Sequence, residues 1–201
     1  MAGLFVTFEG IDRSGKTTQA RMLADALGSE AVAVREPGGT AVGEQVRRLL
    51  KDPSASITAR GEALLFAAAR AELVATVIRP ALEAGRIVVC DRYVDSSLAY
   101  QGAARGLGLM EVARVNEFAT EGLLPDLTIL LWIEPDAARA RAGDGDRFEE
   151  EGVELQRAVA RAYEQLGSAE PERWRRVDAA RPPEQVHADV LKLVESMRAP
   201  V

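Results

Sequence analysis

An apolar run, Leu4-Phe5-Val6-Thr7-Phe8, delivers the chain directly into Gly10-Ile11-Asp12-Arg13-Ser14-Gly15-Lys16-Thr17. Two glycines four residues apart, followed by Lys and Thr, spell a phosphate-cradling loop between a strand and a helix. The glycines permit a tight turn whose N–H groups aim inward at phosphate oxygens. The helix that opens near Gly15 adds the positive end of its dipole. Lys16 then reaches the β- and γ-phosphates, and the Thr17 hydroxyl can ligate Mg²⁺. Lysine is otherwise confined to Lys51 and Lys192, which argues against a chance match. Such a segment commits the chain to a strand–loop–helix unit that binds a nucleoside triphosphate through Gly10 to Thr17 and the adjoining Thr18.

The remaining sequence repeats this alternation. Strand patterns fall at 4–9, 31–35, 86–91, 127–133 and 173–178, and helical patterns near 15–27, 41–51, 58–84, 94–103, 108–122, 135–142, 152–167 and 182–198. The second and third strands, rich in Val and Ile, read as buried on both faces. Crossovers of helical length predict a P-loop NTPase-type α/β fold, a three-layer αβα sandwich around a five-stranded parallel sheet. No repeat or linker divides the 201 residues, which read as a single domain, 1–201. The loop Arg35-Glu36-Pro37-Gly38-Gly39-Thr40 follows a strand, where an open sheet of this kind forms its ligand crevice. The charged, glycine-bearing stretch 142–152 reads as a short lid.

Composition narrows the class further. A net charge of −6 argues against a broad basic surface for nucleic acid. No apolar run has the length to cross a membrane, and the start of the chain has no signal-like pattern. The single cysteine, Cys90, excludes an internal disulfide framework and reads as a small buried residue in a reducing compartment. Together these predict a cytoplasmic protein. His187 lies in a polar helical pattern and reads as a surface residue without a catalytic role.

A second constellation, Asp91-Arg92-Tyr93 through Ser97, Tyr100 and Gln101, follows the third strand. A carboxylate at a strand end near a phosphate loop can organise Mg²⁺, and Arg92 beside it can fork onto phosphate oxygens. The Tyr, Ser and Gln that follow carry groups suited to a sugar and a base edge.

From these motifs the chain resembles the thymidylate (dTMP) kinases, a branch of the nucleoside monophosphate kinases. The resemblance runs through Phe8-Glu9-Gly10 with its loop, Arg35 to Thr40, Leu65-Phe66-Ala67-Ala68-Ala69-Arg70, and Asp91-Arg92-Tyr93 to Gln101-Gly102. It continues through Pro125-Asp126-Leu127-Thr128, Asp146-Arg147-Phe148-Glu149 and Asp178-Ala179-Ala180, nearly the whole chain. It implies that Phe66 stacks on thymine, Arg70 bonds a base carbonyl, and Gln101 and Ser97 read the remaining edge. Tyr100 would lie where a ribose 2′-hydroxyl would clash. Arg47 and Arg92 would hold the acceptor phosphate, Asp12 would approach the 3′-hydroxyl, and Glu36 or Asp91 would organise metal and water. Pro37 would follow a cis peptide. Arg139 or Arg141 would pack against adenine, beside segment 179–184.

Two departures from the family pattern matter. Many bacterial members carry an arginine where this chain has Ala142, and this chain instead has Arg13 inside the loop. The arginine acting on the transferred phosphoryl group is therefore expected to be Arg13, with Arg141 and Arg147 in reserve. Ala69 replaces the Asp that often precedes the base-reading arginine. The implied reaction is transfer of the γ-phosphoryl group of MgATP to dTMP, with Lys16, Arg13 and Arg92 as the catalytic cations. The acceptor phosphate, with a second pKa of about 6, is already largely dianionic at neutral pH and requires no general base. A GTPase would need an Asn-Lys-x-Asp reader, yet the sole asparagine, Asn116, precedes Glu117. A deoxynucleoside kinase, a kinase for another monophosphate, or a binding module without activity are the other readings. The family is typically a homodimer packed through helices, which the apolar stripe in 58–84 allows.

Overall fold

The structure, a computed structural model, describes residues 3–141 and 152–198. Five strands, β1 (Leu4–Glu9), β2 (Ala31–Arg35), β3 (Ile87–Asp91), β4 (Leu127–Trp132) and β5 (Trp174–Asp178), form one sheet. Their order is β2-β3-β1-β4-β5, and every neighbouring pair is parallel. Alternation along the strands divides the core into two layers, as the expected αβα sandwich requires. Val6, Phe8 and Val89 pack on one side with Leu23, Val159, Tyr163 and Val190. Phe5, Val88 and Cys90 pack on the other with Leu73, Ile78 and Tyr93.

Nine helices are described: α1 (Lys16–Leu27), α2 (Ala41–Lys51), α3 (Ala59–Leu73), α4 (Arg79–Glu83), α5 (Val94–Ser97), α6 (Leu109–Thr120), α7 (Pro135–Arg139), α8 (Val153–Ala169) and α9 (Pro183–Arg198). Local chemistry sets several of their starts. The Thr40 hydroxyl accepts the Gly43 amide at 2.9 Å to cap α2, and Thr58 does the same for α3 from Gly61 at 3.2 Å.

Three expectations change. The helix expected over 58–84 is three pieces, because a π-helical turn at Val74–Ile78 separates α3 from α4. Pro80, in the first turn of α4, has no N–H to return to the Thr76 carbonyl, so regular α-helical bonding cannot continue through it. The pattern at 94–103 is a short α5 followed by a second π-helical segment, Leu98–Ala104. Finally, β2 is not buried on both faces. It lies at the sheet edge, where Ala33 and Arg35 are exposed, while β3 inside the sheet is buried throughout. His187 is half-buried, and burial lowers its pKa. Residues 142–151, most of the expected lid, lie outside the described residues together with Arg147.

Strand order places the chemistry. The chain leaves β1 between β3 and β4, the switch point of an open sheet. Phe8 pairs with Asp91, and Arg35 pairs with Asp91 from the other side. The loops after β1, β2 and β3 therefore emerge together at one edge.

Candidate active site

Gly10 leaves β1 with φ 143°, and a Cβ there would lie 2.6 Å from the Leu131 carbonyl oxygen. Gly15, at φ 98°, ends the loop and opens α1. Arg13 also holds a left-handed φ of 62°. Lys16 curls back over the loop, where its Nζ donates to the Ile11 carbonyl at 2.7 Å and to Ser14 Oγ at 3.4 Å. Burial first, and then Arg92, push the Lys16 ammonium down to about 8. Thr17 Oγ1 donates to Asp91 Oδ2 at 2.5 Å, so a hydroxyl and a carboxylate oxygen meet at one point. That hard oxygen pair fits Mg²⁺, which takes most of its ligands from phosphates and water. No cluster of three or more His, Cys, Asp or Glu suited to a metal occurs among the described residues.

Arg92, at φ 70°, turns its guanidinium back across the first loop. It donates to Asp12 Oδ1 at 2.5 Å, Ser96 Oγ at 3.0 Å, the Gly10 carbonyl at 3.2 Å and Tyr100 Oη at 3.3 Å. Its Cζ stands 5.1 Å from the Tyr100 ring centre. Burial works against the Asp12 carboxylate, but Arg92 and Lys16 outweigh it and hold its pKa below the usual range. Gln156 of α8 completes the arrangement, its Nε2 donating to Asp12 Oδ2 at 2.7 Å. Beneath lies Glu9, which accepts the Tyr93 amide at 2.8 Å, the Ser96 hydroxyl at 2.6 Å and the Tyr163 hydroxyl at 2.8 Å.

The opposite wall is built on one face of α3. Phe66 and Arg70, one helical turn apart, share that face, and Glu62 stands one further turn before them on α3. Arg70 is fully buried and ion-paired to Glu36, with Nη2 to Oε2 at 2.6 Å. It also donates to Ser97 Oγ at 3.0 Å, the Tyr93 carbonyl at 3.1 Å and Asn116 Oδ1. Glu36 Oε1 is buried and unpartnered among the described residues, and the Glu36–Pro37 peptide is cis. Arg47 Nη1 donates to the Pro37 carbonyl at 3.0 Å.

These walls enclose a cavity of about 280 Å³. Asp12, Arg13, Lys16, Thr17, Glu36, Pro37, Arg47, Phe66, Arg70, Asp91, Arg92, Ser97, Tyr100 and Gln101 all line it. Reading the sequence missed Arg35, Lys51 and Ser96 on the same lining. Lys51 stands one helical turn after Arg47, a spacing that could have found it. Gln156 has no such signal, because α8 is remote in sequence. Arg141 lies apart from this cavity. It donates to the Arg13 carbonyl at 3.2 Å and the Ala179 carbonyl at 2.6 Å, tying the phosphate loop to the expected adenine-side segment. Arg13 turns its Nη1 to the carbonyls of Arg139 at 3.1 Å and Arg141 at 3.0 Å.

A family model described as thymidylate kinase matches residues 8–190. The chain belongs to the thymidylate kinase family. It is 48% identical over 200 residues to the thymidylate kinase of Symbiobacterium thermophilum, covering 96% of this chain and 94% of that protein. It is 50% identical over 195 residues to that of Leifsonia xyli, covering 94% and 92%. The crystal structure of the thymidylate kinase from Ehrlichia chaffeensis matches with a TM-score of 0.80 and 31% identity, over 96% of this chain and 99% of that one. The five-stranded parallel α/β architecture expected from the sequence is thus the architecture of this thymidylate kinase neighbour.

Proposed function

We propose that this chain transfers the γ-phosphoryl group of ATP to dTMP, giving dTDP and ADP, a step toward dTTP. The observation that carries this reading is a single cavity holding both the phosphate-loop residues Lys16 and Thr17 and the base-side residues Phe66, Ser97 and Gln101. The names of the close relatives support the same acceptor.

The chemistry is alignment and charge cancellation between two anions. Gly10 to Thr18 bind the triphosphate, and Arg141 meets the adenine side. Lys16 exchanges its bonds to the loop for phosphate oxygens. Arg92 and Arg47 hold the acceptor phosphate, and Asp12 fixes Arg92 while facing the sugar. Tyr100, against the Arg92 guanidinium, blocks a 2′-hydroxyl. Thr17 and Asp91 would hold Mg²⁺, which when bound neutralises charge on the β- and γ-phosphates. Arg13 serves the transferred phosphoryl group by releasing the carbonyls of Arg139 and Arg141. Arg70 is saturated by protein partners, so bonding a base carbonyl requires it to exchange one of them.

The protein acts as a homodimer in the cytoplasm, without nucleic acid or membrane as a partner. Neighbouring helices α2, α3 and α6 carry exposed Leu49, Leu64, Met110 and Phe118, the last 89% exposed, which supports pairing through this face. No helix among the described residues is long and apolar enough to cross a membrane. Lys16→Ala tests the reaction: the rate of dTDP formation should fall by about 10²-fold or more with an unchanged circular dichroism spectrum. A fully active variant overturns the reading.

A further inference from the structure

Glu62 is almost completely buried and lies one helical turn before the cavity-lining Phe66 on α3. Arg105 forks onto it, Nε to Oε1 at 3.1 Å and Nη2 to Oε2 at 3.2 Å. With both oxygens accepting from a guanidinium, Glu62 can present only acceptors to a third neighbour. That neighbour is Gln101, whose Nε2 donates to Glu62 Oε1 at 2.9 Å. An amide oxygen turned to the carboxylate would meet it acceptor to acceptor, so the orientation of Gln101 is fixed by charge. One of its two Nε2 N–H groups is thereby engaged, and Gln101 lines the cavity.

The consequence is chemical. A free glutamine amide pairs equally well with thymine, which offers an N3–H, and with cytosine, whose N3 is a lone pair, by turning over. A tethered one cannot turn over. We infer that Glu62 is a positioning residue for base selection: it locks Gln101 with its carbonyl oxygen toward the base, so the site takes a pyrimidine bearing N3–H and refuses cytosine. This rests on the reading that Gln101 meets the base. The lock makes no distinction between thymine and uracil, which share the N3–H.

Glu62→Gln tests it, because a glutamine at 62 offers both a donor and an acceptor and lets Gln101 turn over. The ratio of kcat/KM for dTMP to that for dCMP should fall by about tenfold or more, mainly through KM. Gln101→Ala, measured in parallel, separates the two claims. If Gln101→Ala leaves the ratio unchanged, Gln101 does not meet the base and the underlying reading fails. If Gln101→Ala lowers the ratio but Glu62→Gln leaves it unchanged, or lowers both activities equally, the lock is overturned. Side-chain NMR on the wild-type protein gives a second readout that needs no folded variant. On adding dTMP, the Gln101 Cδ resonance should move while its NH₂ protons remain slow to exchange. NH₂ protons that exchange rapidly in the free protein contradict the lock.

Discussion

Lys16 carries a charge that the protein alone barely favours. Burial and Arg92 bring its pKa to about 8, against the smaller pull of Asp12, Asp91 and Glu9. Triphosphate oxygens favour the protonated form, so ATP affinity should hold below about pH 8 and decline above it. Calorimetry at pH 8.5 in two buffers of different ionisation enthalpy should show net proton uptake on ATP binding; none would remove Lys16 from the phosphates. Arg70 shows the opposite economy, a buried cation satisfied by the protein. Arg70→Ala would strand the Glu36 carboxylate and should destabilise the fold by about 3–5 kcal/mol, read by denaturant unfolding. A loss below about 1 kcal/mol would mean the pair is not closed in solution. The cavity-lining residues were legible where a motif carried them, as Lys16, Asp91, Arg92 and Gln101 show. Glu62 and Gln156, which stand behind the lining residues Gln101 and Asp12, were not, because their value lies in which side chain they touch, and no local spacing encodes a contact between distant segments.

Elements were legible where periodicity and caps agreed. Thr40 capping α2 and the apolar run of β1 leading into Gly10 left little freedom. The two π-helical turns were not legible, since a bulge of one turn is set by where i→i+5 bonds replace i→i+4 bonds and has no residue pattern of its own. Nor was the edge position of β2, because strand order is a property of the assembled sheet. Glu9 shows how elements are joined. It ends β1 and caps the start of α5 through the amides of Tyr93 and Ser96, at 2.8 and 3.3 Å. Burial first, then Asp95, push its pKa from 4.5 up to about 7. The folded protein therefore binds the extra proton between those values, and stability falls as pH rises through that window. Glu9→Gln should flatten this fall in thermal melts between pH 4.5 and 7. An unchanged slope would assign it to another group.

At the scale of the whole molecule, the order β2-β3-β1-β4-β5 gathers three loops at one edge. A net charge of −6 gives two anionic substrates no general attraction, so under the proposed function recognition would fall to the local cations Lys16, Arg47 and Arg92. The exposed face of α2, α3 and α6 belongs to this scale as well. Phe118→Arg should shift the sedimentation coefficient from dimer to monomer at micromolar concentration, and a persistent dimer would place the interface elsewhere. The central claim is the acceptor. Purified protein with MgATP should be followed for ADP release against dTMP, dUMP, UMP, dCMP, AMP and thymidine. A strong response to dTMP, a weak one to UMP and none to thymidine is the predicted result. Activity on thymidine alone, or silence across the panel with ATP still bound, would contradict it.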